Sequence, residues 1–427
     1  MAGKDLGLDG GSRSRGVATE ELRRHNLAIV MDRLHFAGPL SRSELVAKTG
    51  LNRSTIAALI GELSGLGLVE EVPATTVSGP GRPSPVVHPR PAGAIGLAIE
   101  LAVDSIAVAT VGLGGHVYNR LRVERPREHL SPQEAVGDIA NLARPLLGSL
   151  PDGHRFVGVG VAVVGITRRA DGYLHLAPNL GWHDVPIGDL LADALDFEGK
   201  VSAANEADLG ALAEYLRGAH SDVRNLVYVS GEVGIGVGII ADGEPLRGRA
   251  GYAGEAGHTL INLDGRPCRC GSTGCWETEA GEAALLRHAG ICDDTTGLTA
   301  LASLSERAAA GDESVLYAFA TLGRWLGLGI GNLINLFNPE VVVLGGLYHR
   351  FYEYLETAMV NEARARALEA PWEGVTIAKS GLGTDALLIG AAELALSDTI
   401  ADPASVGAVT RRRRTEARRP SAASLPS

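Results

Sequence analysis

His258 is followed by three cysteines in the run CRCGSTGC, with the spacing His258-x9-Cys268-x-Cys270-x4-Cys275. Three thiols and an imidazole are soft to borderline donors, and a glycine-rich turn lets them converge on one ion. The set suits tetrahedral Zn2+. With four protein ligands no position stays open for water, so the expected role is structural. Reduced cysteines in an ordinary loop are the alternative, and their clustering between glycines weighs against it. Cys292 falls outside the pattern and reads as a small buried hydrophobe.

A second constellation is polar and basic. Asn52, Arg53, Ser54 and Thr55 stand at the leading end of a helical pattern over about 53–66, in which Ile56, Leu59, Ile60 and Leu63 recur on one face. Ahead of it, Ser41 or Ser43 caps a shorter helix that buries Leu45 and Val46, and TGLN (49–52) supplies the turn. Two short strands follow, LVEEV and SPVVHP, separated by PATTVSGPGRP with Arg82 near its tip. Helix, turn, helix and hairpin make an α+β winged helix-turn-helix. Its second helix is expected in the major groove of double-stranded operator DNA, with Ser41 and residues 52–55 at the contact. Arg82 is expected to reach a phosphate or the minor groove. A small helical domain for protein contacts is the competing reading.

These residues need a frame. Residues 1–18 are rich in Gly, Ser and Arg and are expected to be disordered, with the winged helix over 19–91. Near residue 92 the composition shifts to three apolar alternating strands, with turns near Ala102–Val103 and Gly114–Gly115. A helix over about 132–147 and the strand FVGVGVAVV follow. Such strands are continuous enough to be buried on both faces of an α/β domain. The order recurs: LVYVSGEVGIGVGIIADGEPLRG again offers paired strands, before helices and EVVVLGG. This duplication predicts two similar lobes over 92–400, with a zinc loop at 258–277. Residues 401–427, Arg-rich and then Ser/Pro-rich, are expected to form a disordered tail.

The segment GEAGHTLINLDGRPCRCGSTGCWETEAG resembles the signature of the ROK family, which groups repressors, open reading frames and sugar kinases. LAPNLGWHDVPIGDLL, AANEADLGALAEY, GIGVGII and NLINLFNPEVVVLGG match it as well. The resemblance implies a two-lobed, actin-like and ribonuclease-H-like sugar-kinase fold, and homodimers or homotetramers. It also implies a sugar or sugar-phosphate effector held by Asn205, Glu206, Glu255, His258 and Glu277, with Asn179 bordering the cleft. Carboxylates and amides suit sugar hydroxyls because they accept and donate in pairs. The family's kinases carry two glycine-rich phosphate loops and an aspartate base. Here the first loop reads ELAVD (100–104), the second EVGIG (232–236), and Glu206 stands at the base position. Side-chain bulk and negative charge at those turns oppose nucleotide phosphates, so catalysis is not expected. An active sugar kinase with a DNA-binding head, and a DNA-binding protein indifferent to ligand, are the rival readings.

The net charge of −11 does not exclude DNA, because both termini are net basic and the acidity lies between them. No apolar run has the length of a membrane span and the N-terminus lacks a signal-peptide core, so a cytoplasmic regulator is expected.

Overall fold

The computed structural model describes residues 11–73, 85–125, 130–168, 171–249, 251–291 and 297–406. Arg82, Cys292 and the tail from 407 onward therefore lie outside the described residues.

The head opens with a long helix α1 (Gly11–Ala37), where the sequence led us to expect disorder up to residue 18. A short strand β1 (Leu40–Ser41) precedes α2 (Arg42–Thr49) and α3 (Arg53–Gly65), followed by β2 (Val69–Val72) and β3 (Val86–Pro89). Ser41 starts α2 through a capping box with Glu44, and Gly50 stops it by taking φ 71°, a left-handed conformation that costs glycine nothing. Strand order β1-β3-β2 completes the winged arrangement.

The first lobe contains β4 (Ile95–Leu101), β5 (Ser105–Gly112), β6 (His116–Glu124), α4 (Pro132–Gly148) and β7 (Phe156–Val163). A small antiparallel sheet follows, β8 (Ile166–Arg168), β9 (Tyr173–Ala177) and β10 (Trp182–Val185), then α5 (Ile187–Ala194), β11 (Val201–Asn205) and α6 (Glu206–Arg217). The second lobe begins with β12 (Leu226–Gly231), β13 (Ile235–Ala241) and β14 (Glu244–Pro245). After the cysteine loop come α7 (Trp276–Ala280), α8 (Glu282–His288), α9 (Leu298–Ala309) and α10 (Glu313–Phe337). It closes with β15 (Val341–Gly345), α11 (Gly346–Arg350), α12 (Tyr352–Arg366), α13 (Glu369–Glu373), β16 (Thr376–Lys379) and α14 (Ala386–Ala401).

The two sheets, β11-β7-β4-β5-β6 and β14-β13-β12-β15-β16, have the same internal order. In each, the first strand pairs antiparallel with the second and parallel with the fourth, as the sequence duplication predicts. Every residue of β4 and β5 is buried, because α4 and α5 cover one face and α14 the other. Helix α14 sits close to its sheet at Gly160, where a Cβ would run into the backbone of Ala391. Helix α6 packs on α14 and on the second sheet, so these two helices fill the seam between the lobes.

The head is not separated from the lobes at residue 91. One apolar cluster joins Leu27, Val30, Leu34, Ile60 and Leu63 of the head to Leu113, Leu396, Ile400 and Val406. Ordered, packed chain thus extends past residue 401 into the segment expected to be tail. The physical reason is that α14 is apolar around most of its circumference, and such a helix is stable only when several partners cover it.

Candidate functional site

A cavity of about 330 Å3 opens between the lobes, and Asn179, Asn205, Glu206, Glu255, His258 and Glu277 all line it. Asn205 ends β11 and caps α6. Its Oδ1 accepts from the Ala207 amide at 2.8 Å, and its Nδ2 donates to the Gly165 carbonyl at 3.1 Å. The amide plane is thereby fixed, with its remaining donor and lone pair left for a ligand. Glu277, on α7, accepts from the Ile235 amide through Oε2 at 3.2 Å. Asn179 accepts from Nη1 of Arg269 at 3.0 Å. That arginine sits between two cysteines of the second lobe and was missed in the sequence, although its position in the motif was visible.

The carboxylates are unequal. Burial pushes Glu206 up to about 8, with Glu232, Glu255 and Asp208 adding to the shift, and its Oε2 is shielded from water without a hydrogen-bond partner. Glu255 is also raised, by burial first and Glu277 second, while His258 opposes the change. Two more buried oxygens lining the cavity lack partners, Thr167 Oγ1 and Ser230 Oγ, and no sequence motif marked either.

The metal candidate lies beside this cavity. A 3-10 turn (Ala256–His258) places His258, and a tight knuckle places the cysteines. In that knuckle the Cys268 amide donates to Ser272, the Gly271 amide donates to Cys268, and Leu260 bridges Cys275. The four donor atoms of His258, Cys268, Cys270 and Cys275 lie within 4.8 Å of one another. The Cys270 and Cys275 sulfurs are 3.7 Å apart, as are Cys268 Sγ and His258 Nδ1. Tetrahedral bonds of ~2.3 Å to sulfur set ligand atoms just under ~4 Å apart, so the cluster fits a four-coordinate ion.

The two turns that resemble phosphate loops also face the cavity, at 102–104 between β4 and β5 and at 232–236 between β12 and β13. Three of their amides are engaged within the protein. Ala102 donates to the Ser105 carbonyl, Glu232 to Gly234, and Ile235 to Glu277. Glu100 and Arg122 stand on one sheet face either side of Ala107 and form a bidentate pair at 2.7 and 2.8 Å. That pairing occupies the guanidinium that could otherwise meet a polyanion there.

In the head, Asn52, Arg53 and Ser54 are exposed at the start of α3, with Thr55 partly so. Asn52 Oδ1 accepts from the Thr55 amide at 2.9 Å and the Ser54 hydroxyl at 2.7 Å, so two of these side chains build the helix cap as well as the surface. Ser41 is likewise committed to capping α2 and to Ser43. The cavity residues and the head residues thus form two separate sites.

Comparison with known proteins bears on both. The chain is 30% identical over 397 residues to the xylose repressor of Caldicellulosiruptor bescii, covering 90% of this chain and 98% of that protein. It is 32% identical to the glucokinase of Halalkalibacterium halodurans over 305 residues, covering 68% of this chain and 92% of the kinase. A ROK family transcriptional regulator described as a homolog of the E. coli MLC protein superposes with a TM-score of 0.74 at 25% identity, covering 91% of this chain and 99% of that one. The ROK family profile itself matches residues 96–398, which takes in both lobes, the cavity and the cysteine knuckle, and the chain therefore belongs to the ROK family.

Proposed function

We propose that this protein is a sugar-responsive DNA-binding transcriptional repressor. One observation carries the reading: the repressor match runs through 90% of the chain, whereas the glucokinase match has about the length of the two lobes alone. The head adds what a repressor needs and a kinase does not. Asn52, Arg53, Ser54 and Thr55, with Ser41 and Arg82, are assigned to operator DNA.

The cavity is assigned to the sugar. Asn179, Asn205, Glu206, Glu255, His258 and Glu277 hydrogen-bond its hydroxyls, and ligand contacts to both lobes bias a cleft equilibrium. His258, Cys268, Cys270 and Cys275 hold Zn2+, which fixes the loop carrying His258 and Glu277. Phosphoryl transfer is assigned no role. It depends on donors that neutralise phosphate charge, and the two turns bring the carboxylates of Asp104 and Glu232 to the cavity instead. Among the described residues no helix is long and apolar enough to cross a membrane. The working assembly is a cytoplasmic homodimer or homotetramer, which matches two heads to two half-sites.

Selection of bound sequences from random DNA by the full-length protein, repeated with D-xylose and with D-glucose, tests the reading. A defined operator whose affinity changes with a sugar supports it. Absence of any selected sequence, or ATP-dependent phosphorylation of the sugar in a coupled assay, overturns it.

A further inference from the structure

The cavity is larger in chemical reach than the six sugar-facing residues. Three buried oxygens without hydrogen-bond partners belong to residues that line it. Thr167 Oγ1 belongs to β8 of the first lobe, Glu206 Oε2 to the start of α6, and Ser230 Oγ to the end of β12. Thr167 is 5% exposed and Ser230 2%, so neither is satisfied by bulk water. Glu206 borders the second turn as well, since its Oε1 lies 3.7 Å from where a Cβ on Gly236 would stand.

Ser230 has Gly236 and Gly345 as its neighbours in register across the sheet, and the Tyr228 hydroxyl occupies the space that a Cβ on Gly345 would take. A Cβ on Gly346 would meet Ser230 Oγ at 2.9 Å and crowd Glu232 as well. The surrounding groups accept hydrogen bonds from hydroxyls and repel anions. Arg122, the nearby cation, is clamped by Glu100 at 2.7 and 2.8 Å.

We propose that this far half is a second sugar subsite, so that the effector is an uncharged disaccharide or longer glycoside rather than a single ring or a sugar phosphate. The first ring lies among Asn179, Glu255, His258 and Glu277. The second lies against Ser230 and Glu232, in the space that phosphate would otherwise need. A buried polar atom left without a partner is costly, and ring hydroxyls along the cavity supply one to each oxygen. This proposal rests on the reading of the cavity as a sugar site.

Calorimetric titration of the full-length protein with D-xylose against xylobiose, and with D-glucose against maltose and cellobiose, tests it. One disaccharide is expected to bind at least about tenfold more tightly than its own monosaccharide. Ser230→Val should abolish that gain and leave monosaccharide affinity within about twofold. Glu232→Gln gives the same comparison if the valine variant does not fold. Monosaccharides that bind as tightly as every disaccharide, a gain that survives both substitutions, or tighter binding of glucose 6-phosphate or of glucosamine would overturn the second subsite and leave the sugar reading intact. No binding of any sugar would overturn both.

Discussion

His35 of α1 and Glu393 of α14 are buried against each other, Nε2 to Oε2 at 2.8 Å, although 358 residues separate them in the chain. The imidazole is held at its other nitrogen too, where Nδ1 accepts from the Gly114 amide at 3.0 Å. Arg217, the last residue of α6, donates through Nε to Glu393 at 2.8 Å and through Nη1 to the His35 carbonyl at 3.1 Å. Burial alone would raise the Glu393 carboxyl, but His35 and Arg217 outweigh it and hold the group below its ordinary value. Helix α6 therefore begins in the cavity at Glu206 and ends on the head at Arg217. Helix α14 makes a parallel path, since Leu387 lines the cavity while Leu396 and Ile400 join the core of the head.

Glu393→Ala is expected to strand Arg217 and His35 at the base of the head. Breaking a buried pair by removing one partner costs about 3–5 kcal/mol. The variant should melt lower, and any sugar-dependent change in operator affinity should shrink because the two helices no longer grip α1. Differential scanning calorimetry and operator titrations with and without sugar read the two effects. A variant that melts with the parent and responds fully to sugar would remove this triad from the signalling path.

The cysteine knuckle predicts about one zinc per chain in purified protein, measured by elemental analysis. Cys270→Ser and Cys275→Ser should each lose the ion and loosen the loop that carries His258 and Glu277, so sugar affinity falls with metal content. Retention of stoichiometric zinc by both variants would exclude this donor set.

Legibility in the sequence followed the distance between partners. The His258, Cys268, Cys270 and Cys275 cluster spans 258–275 and the α2 cap joins Ser41 to Glu44, so local spacing pointed to both. The duplicated lobes were legible because each repeats the same strand and helix order. The shared core of head and lobes was not, because Leu34 and Leu396 carry no local sign that they meet. Arg217, Glu393 and His35 lie on three helices far apart in the chain, and nothing local to any of them marks the other two as partners. Thr167 and Ser230 were invisible for another reason: their significance is the absence of a partner, a property only of the packed structure.

Glu206 makes stability fall with rising pH. An acid whose folded value of about 8 lies above its ordinary 4.5 holds its proton more tightly when folded. The unfolded state therefore binds fewer protons between those limits. The contribution is fully present below about 4.5 and is lost as pH rises through about 8. The melting temperature of the ligand-free protein should thus decline between pH 5 and pH 8.5, and Glu206→Gln should flatten that slope and melt higher at the alkaline end. An unchanged slope in the glutamine variant would show that Glu206 is ionised in the folded protein at neutral pH.

Asn52 permits a separation of folding from recognition in the head. Its Oδ1 caps α3, and replacing such a cap by alanine costs about 0.5–2 kcal/mol. Aspartate caps as well as asparagine and suits the positive end of the helix, so Asn52→Asp should melt with the parent. The same substitution sets a carboxylate where bases and phosphates approach, and operator affinity should drop by about tenfold or more. Arg53→Ala should also melt normally, since the side chain is exposed. If its role is a phosphate contact, binding weakens on all sequences and the salt slope falls by about one. Fluorescence anisotropy at several salt concentrations, beside melting curves for the two variants, makes the comparison. If Asn52→Asp binds operator like the parent, the leading end of α3 is not the recognition surface, and the head docks through another face.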